Sequence, residues 1–272
     1  MKNLRKLCVH TITTKPLGFA EACRAYAERG IGGITIWRDA VDRIPSSEVK
    51  AILHEHSLNL VSYCRGGFFP DPDPSGRKHT IADNLKMIEE AAALGAPLIV
   101  LVCGSHHGQS LETSRAQIRE GIEAILPAAS QAGIRLAIEP LHPMYADERS
   151  AINTMKQAND MAEAIGAPEL GVAVDVYHVW WDPGLEEEII RCGKNRRLFA
   201  FHMCDWLTPT RHFLLDRGLM GEGCIDIPQI RSWVEKAGFD GFHEVEIFSE
   251  RWWREDQGNF LDRIVQAYHE HC

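Results

Sequence analysis

The sequence predicts an α/β fold, a single (β/α)8 barrel, from three observations. Short apolar runs of strand length alternate with amphipathic helical patterns along the whole chain. Glycines 30, 95, 133, 166 and 238 each close a helical pattern shortly before the next strand, the punctuation of repeated βα units. In addition, AIEPLHP, VAVDVYH, LFAFHMCD and HEVEIFSE each end an apolar run with a side chain that can bind a cation. On successive parallel strands of one barrel, such ends converge on one mouth.

The expected strands are 7–12, 33–37, 58–64, 97–103, 134–139, 170–175, 198–203 and 242–247. The first follows a basic N-terminal stretch that lacks an apolar segment of signal length. The second is preceded, not followed, by Gly30, Gly32 and Gly33, so no G-x-G-x-x-G turn supports a dinucleotide-binding sheet. Between the third and fourth strands, helix 77–94 carries an apolar stripe of Ile81, Leu85, Ile88, Ala92 and Leu94. Helix 111–132 turns Ile118, Ile122, Ile125 and Leu126 inward, and Gly133 caps it directly before the fifth strand. That strand ends in Glu139 ahead of Pro140, and the sixth ends in Asp175. The seventh carries His202 among Phe201, Met203 and Cys204. In the eighth, Glu244 and Glu246 alternate and so share one face, with Glu246 nearer the mouth.

Composition narrows the function. The chain has 272 residues, 45% hydrophobic and 25% charged, with no linker or low-complexity stretch, so one domain spanning 1–272 is expected. A formal charge of −9 and a pI of 5.8 oppose binding to nucleic acid. No run is long and apolar enough to span a membrane. The eight cysteines are scattered without a C-x-x-C pair, which fits a reducing cytoplasm rather than a disulfide framework. A homo-oligomer is compatible with everything above.

Glu139, Asp175, His202 and Glu246 form a donor set suited to one divalent metal ion, Mn2+, Zn2+, Co2+ or Mg2+. His178, three residues after Asp175, returns to the same side as a second ligand or a substrate contact. Asp205 orients an imidazole, ligates a second metal or caps a loop. Trp37 and Trp180 offer aromatic faces for a sugar, and His107 follows the fourth strand. No Lys/Arg cluster at a strand end demands a phosphate.

These residues resemble the xylose isomerase-like TIM barrels, also called sugar phosphate isomerases/epimerases. The resemblance spans most of the chain and is most specific in AIEPLHP, VAVDVYHVWWDP, FHMCDW, DRGLMGEGCIDIP and EVEIFSE. It implies one divalent metal held by Glu139, Asp175, His202 and Glu246, with Glu139 and Glu246 also acting as acid and base and His178 contacting substrate. The reaction expected is isomerisation or epimerisation of a small-molecule sugar or polyol through an enediolate, in which the two carboxylates remove and return one proton. A dehydratase of an inosose or dehydroshikimate uses the same groups and is the alternative. In the epimerase branch an arginine follows the strand-seven histidine by six residues, where this chain has Thr208, so Arg217 is the expected substrate contact. An endonuclease IV-like role fits less well: no histidine stands at the end of strand three and no Asp-x-His follows strand seven.

Overall fold

A computed structural model describes residues 3–272; Met1 and Lys2, part of the expected 1–272 unit, lie outside the described residues. Eight parallel strands close one barrel: β1 (Leu7–His10), β2 (Gly33–Trp37), β3 (Asn59–Gly67), β4 (Leu98–Val102), β5 (Arg135–Glu139), β6 (Leu170–Asp175), β7 (Leu198–Met203) and β8 (His243–Val245). Each strand pairs with its successor, and β1 pairs with β8 to complete the ring. Helices on the outside connect the strands, among them Pro74–Leu94 and Leu111–Ala132. No helix among the described residues is long and apolar enough to cross a membrane.

Alternation along the strands divides the core in two. Cys64, Leu98, Val100, Ala137, Ala173 and Ala200 point inward and pack on one another, filling the barrel interior. Leu136, Ile138, Val172, Val174, Phe201 and Met203 point outward into the larger core beneath the helices. Ile118, Ile122, Ile125 and Leu126 of the long helix are buried as the sequence predicts. Gly133 caps that helix in the left-handed region (φ 68°).

Three boundaries depart from expectation, each for a local reason. β1 and β8 end before residues 12 and 247 because the Thr13 hydroxyl takes the place of their ladder: it donates to Val245 O (3.0 Å) and accepts from Ile247 N–H (3.0 Å). β3 instead runs on to Gly67, with its register against β4 jumping between Cys64 and Gly66. The Asn84 side chain secures that extension, accepting from Gly67 N–H (2.7 Å) and donating to Gly67 O (2.9 Å). This turns the helix 74–94 relative to the expected stripe. Asn84, Met87, Ile88, Ala91 and Leu94 are buried, Ile81 and Leu85 are half-buried, and Ala92 faces solvent.

Gly67 sits at φ 107°, and a Cβ there would lie 2.0 Å from Val102 O. Gly67→Ala is therefore expected to cost ~2 kcal/mol or more. Gly95→Ala, at φ 81° with nothing within 4 Å of its Cβ, should cost only ~1 kcal/mol. Urea denaturation of the two variants checks the order; equal losses would count against the close approach at Gly67.

Candidate active site

Strand register assembles the site. Asp175 on β6 stands beside His202 on β7, and His202 stands beside Glu244 on β8. Glu139 ends β5 beside Val102 of β4. Glu246 follows β8, tied down by its N–H to Met203 O (3.1 Å). Donor atoms of Glu139, Asp175, His202 and Glu246 all lie within 4.8 Å of one another, and all four residues are buried. Glu139 and Glu246 also line a cavity at the mouth together with Trp37, His178, Arg217 and Phe248.

Arg217 ties the cluster together. Its Nη1 donates to Glu246 Oε2 (2.7 Å) and Asp175 Oδ2 (3.0 Å), while its guanidinium lies over Tyr177 and Phe248 at 4.4 and 5.0 Å. The acidic residues near Arg217 in sequence are engaged elsewhere: Asp216 accepts from Arg211 N–H, and Glu222 pairs with Arg251. Asp205 caps the intervening loop, accepting from the N–H groups of Trp206, Gly221 and Ile225.

Charge is unevenly distributed over the carboxylates. Burial pushes the Asp175 carboxyl up, to about 7, against the pull of Arg217. Burial also works against ionised Glu246, but Arg217 and His10 outweigh it and hold that carboxyl well below its usual range. His202 loses solvation, yet Glu244 and Glu139 hold it up to about 10. His178 stays neutral: burial and Arg217 push it well below the ordinary histidine value. Two donors face its ring, Arg217 Nη2 at Nε2 (3.1 Å) and His142 N–H at Nδ1 (3.3 Å); a guanidinium only donates, so Nε2 is the acceptor in the shorter contact.

The residues fit a divalent cation. Three carboxylates and one imidazole are buried together with Arg217 as the cation that touches two of them. His202 Nδ1 lies 2.8 Å from Glu139 Oε1, and its Nε2 is buried without a hydrogen-bond partner, 3.8 Å from Glu244 Oε2. An imidazole that ligates through Nδ1 carries its proton on Nε2, where Glu244 is placed to receive it. Glu244 itself is fixed below the mouth by Thr35 (2.6 Å), Ser62 (3.0 Å) and His10 (3.2 Å).

Not every residue singled out in the sequence reaches this group. His107 is exposed and stacked on His106 at 4.8 Å, because Gly104 turns the chain away from β4 and is bonded to Arg149 O and Ala151 N–H instead. Trp180 packs on Trp206 (5.7 Å) and the core rather than on the cavity. Sequence reasoning passed over His10, Arg65, Tyr145 and Arg149. His10 ends β1 with Nδ1 3.1 Å from Glu246 Oε1; the expected strand ran on to residue 12, which hid its strand-end position.

A closed βα barrel with buried carboxylates and imidazoles that could hold a cation at the C-terminal mouth is the architecture of a barrel enzyme. The chain belongs to the xylose isomerase-like TIM barrel family, whose sequence profile matches residues 23–264. It is 26% identical to an inosose isomerase of Halalkalibacterium halodurans, over 89% of this chain and 88% of that one. It is 25% identical to an inosose isomerase of Bacillus velezensis, over 79% and 78%. A crystal structure of a Sinorhizobium meliloti 1021 protein matches with a TM-score of 0.96 and 46% identity over 99% of both chains. The IOLI protein with a bound zinc atom matches with a TM-score of 0.84 and 19% identity, over 97% of this chain and 96% of that one, a likeness of fold.

Proposed function

We propose that this chain is a divalent-metal-dependent isomerase or epimerase of a sugar or sugar-like polyol. The observation that carries this reading is that Glu139 and Glu246 line one cavity and also belong to one four-donor cluster. Similarity to two inosose isomerases points to the same class of substrate, a polyol ketone.

Glu139, Asp175, His202 and Glu246 would hold the metal, Mn2+, Co2+, Zn2+ or Mg2+; a zinc-containing structural neighbour is consistent with this. When bound, a divalent cation supplies Lewis-acid stabilisation of negative charge on the substrate oxygens. Glu246, kept ionised by Arg217 and His10, takes the proton from the carbon beside the substrate carbonyl. Glu139, on a different strand of the same mouth, delivers a proton to the product. His178, a neutral imidazole held against Arg217 Nη2, contacts a substrate hydroxyl, and Trp37 and Phe248 close the apolar side of the cavity.

The test is a screen of ketoses, inososes and hydroxypyruvate with the Mn2+-loaded protein in D2O. Deuterium is expected at the carbon beside the carbonyl of at least one compound. Loss of water in place of exchange would reassign the chain as a dehydratase, and silence across the screen would overturn the reading. A metal analysis accompanies it: about one divalent ion per chain is expected for the wild type, and near none for His202→Ala. Full metal content in that variant would remove His202 from the ligand set.

A further inference from the structure

Two arginines in the cavity have no use in the chemistry above. Arg65 sits at the irregularity of β3, where the register against β4 skips it, a device that re-aims a side chain at a barrel rim. Its guanidinium lies over Phe68 at 4.5 Å and Trp37 at 5.7 Å. Among the described residues no carboxylate comes within 4.0 Å of it, although Asp39 and Asp42 share the adjoining cleft. Arg149 enters the same cavity from the loop after β5. Its Nε is buried without a hydrogen bond, and its ion-pair partner is Glu148, 3.5 Å away and 63% exposed.

Each guanidinium is thus steadied by an aromatic face, Phe68 for Arg65 and Tyr145 for Arg149, with its donor edge unspent. Burial and the neighbouring Arg149 charge both hold Arg65 below the ordinary arginine value, so the two cations crowd one another. Arg217, the third cation of the cavity, already occupies Asp175 and Glu246. Within 4.0 Å the half-buried pair has one carboxylate, the exposed Glu148 beside Arg149, which leaves guanidinium donors for an oxyanion, and guanidinium forks match carboxylate and phosphate geometry.

We propose that Arg65 and Arg149 bind an oxyanion carried by the substrate, so that this site takes an acidic polyol ketone, a keto-sugar acid or a keto-sugar phosphate, in preference to a neutral one. This rests on the isomerase/epimerase reading for the position of the substrate and adds the charge it carries. It also separates the chain from the inosose isomerases it is similar to, because an inosose is uncharged. Arg65 and Arg149 lie far apart in sequence, which is why no basic cluster announces them.

Mn2+-loaded protein is titrated with D-fructose, D-fructuronate and D-fructose 6-phosphate by calorimetry, with tryptophan fluorescence as a second readout because Trp37 lies beside Arg65. One of the two anionic probes should bind ~10–100-fold tighter than fructose, and which one identifies the anion as carboxylate or phosphate. Arg65→Gln and Arg149→Gln should each bring that ratio close to one, with melting temperature and Mn2+ content measured alongside. Equal affinity of the wild type for all three probes, or a preference that survives both substitutions, overturns the proposal. Deuterium exchange into fructose without any anion preference overturns it alone. Absence of both binding and exchange with all three overturns it together with the isomerase reading.

Discussion

Glu246→Gln is expected to stop solvent-deuterium incorporation at the substrate carbon and to lower kcat/KM by ~10^3-fold, the scale of a lost general base. Glutamine fills the same volume and can still accept from Arg217 Nη1, now at 2.7 Å from Glu246 Oε2, so the barrel should remain folded. It cannot accept a proton from carbon. The informative control is Glu244→Gln, two residues earlier on the same face. Glu244 is buried beneath the mouth and accepts from Thr35, Ser62 and His10, outside the cavity lining. That variant should disturb stability and retain exchange. NMR of the product in D2O, with metal content measured on each variant, separates a lost base from a lost metal. Exchange at the wild-type rate in Glu246→Gln would rule that residue out as the base.

Arg217→Met should destabilise the EDTA-treated protein by ~3–5 kcal/mol, the usual cost of removing one partner from a buried ion pair. Arg217 and its partners Asp175 and Glu246 are each 5% exposed or less at the side chain. Without the guanidinium, two carboxylates face one another in a water-poor site. Saturating Mn2+ should recover much of this loss, because a dication held by the same carboxylates neutralises them in turn. A lysine at 217 should recover less, since a flexible ammonium lacks the planar guanidinium that stacks on Tyr177 and Phe248 and holds Nη1 between both oxygens. Urea denaturation with EDTA and with Mn2+ reads both effects. A loss that is the same size in the two conditions would show that Arg217 and the metal do not share the burden of Asp175 and Glu246.

The fold was legible because barrel strands are short, apolar and repeated, and their helices end in glycine. All eight strands overlap the expected ranges, with the ends of β1, β3 and β8 displaced, and the long helix 111–132 lies where the pattern placed it. The failures were local. The buried face of helix 74–94 was misjudged because a polar residue, Asn84, is drawn inward by the backbone of Gly67, and hydrophobic periodicity carries no trace of that bond. His107 and Trp180 were singled out by proximity to strand ends, but one turn at Gly104 and one aromatic contact with Trp206 direct them elsewhere.

Sequence by itself determined the barrel and the residue types at its mouth, because a strand's last inward position is fixed by counting in twos from an apolar run. It therefore pointed to Glu139, Asp175, His202 and Glu246, and the more C-terminal place of Glu246, together with the family resemblance, set it apart from Glu244 on the same face. Only the tertiary structure decided who neutralises whom. Arg217 reaches Asp175 and Glu246 from a loop, His10 closes on Glu246 from the far end of the chain, and Arg65 and Arg149 meet in one cavity. Charge pairing depends on distance in space across a closed ring, and ring closure brings together positions whose separation along the chain says nothing about their contact.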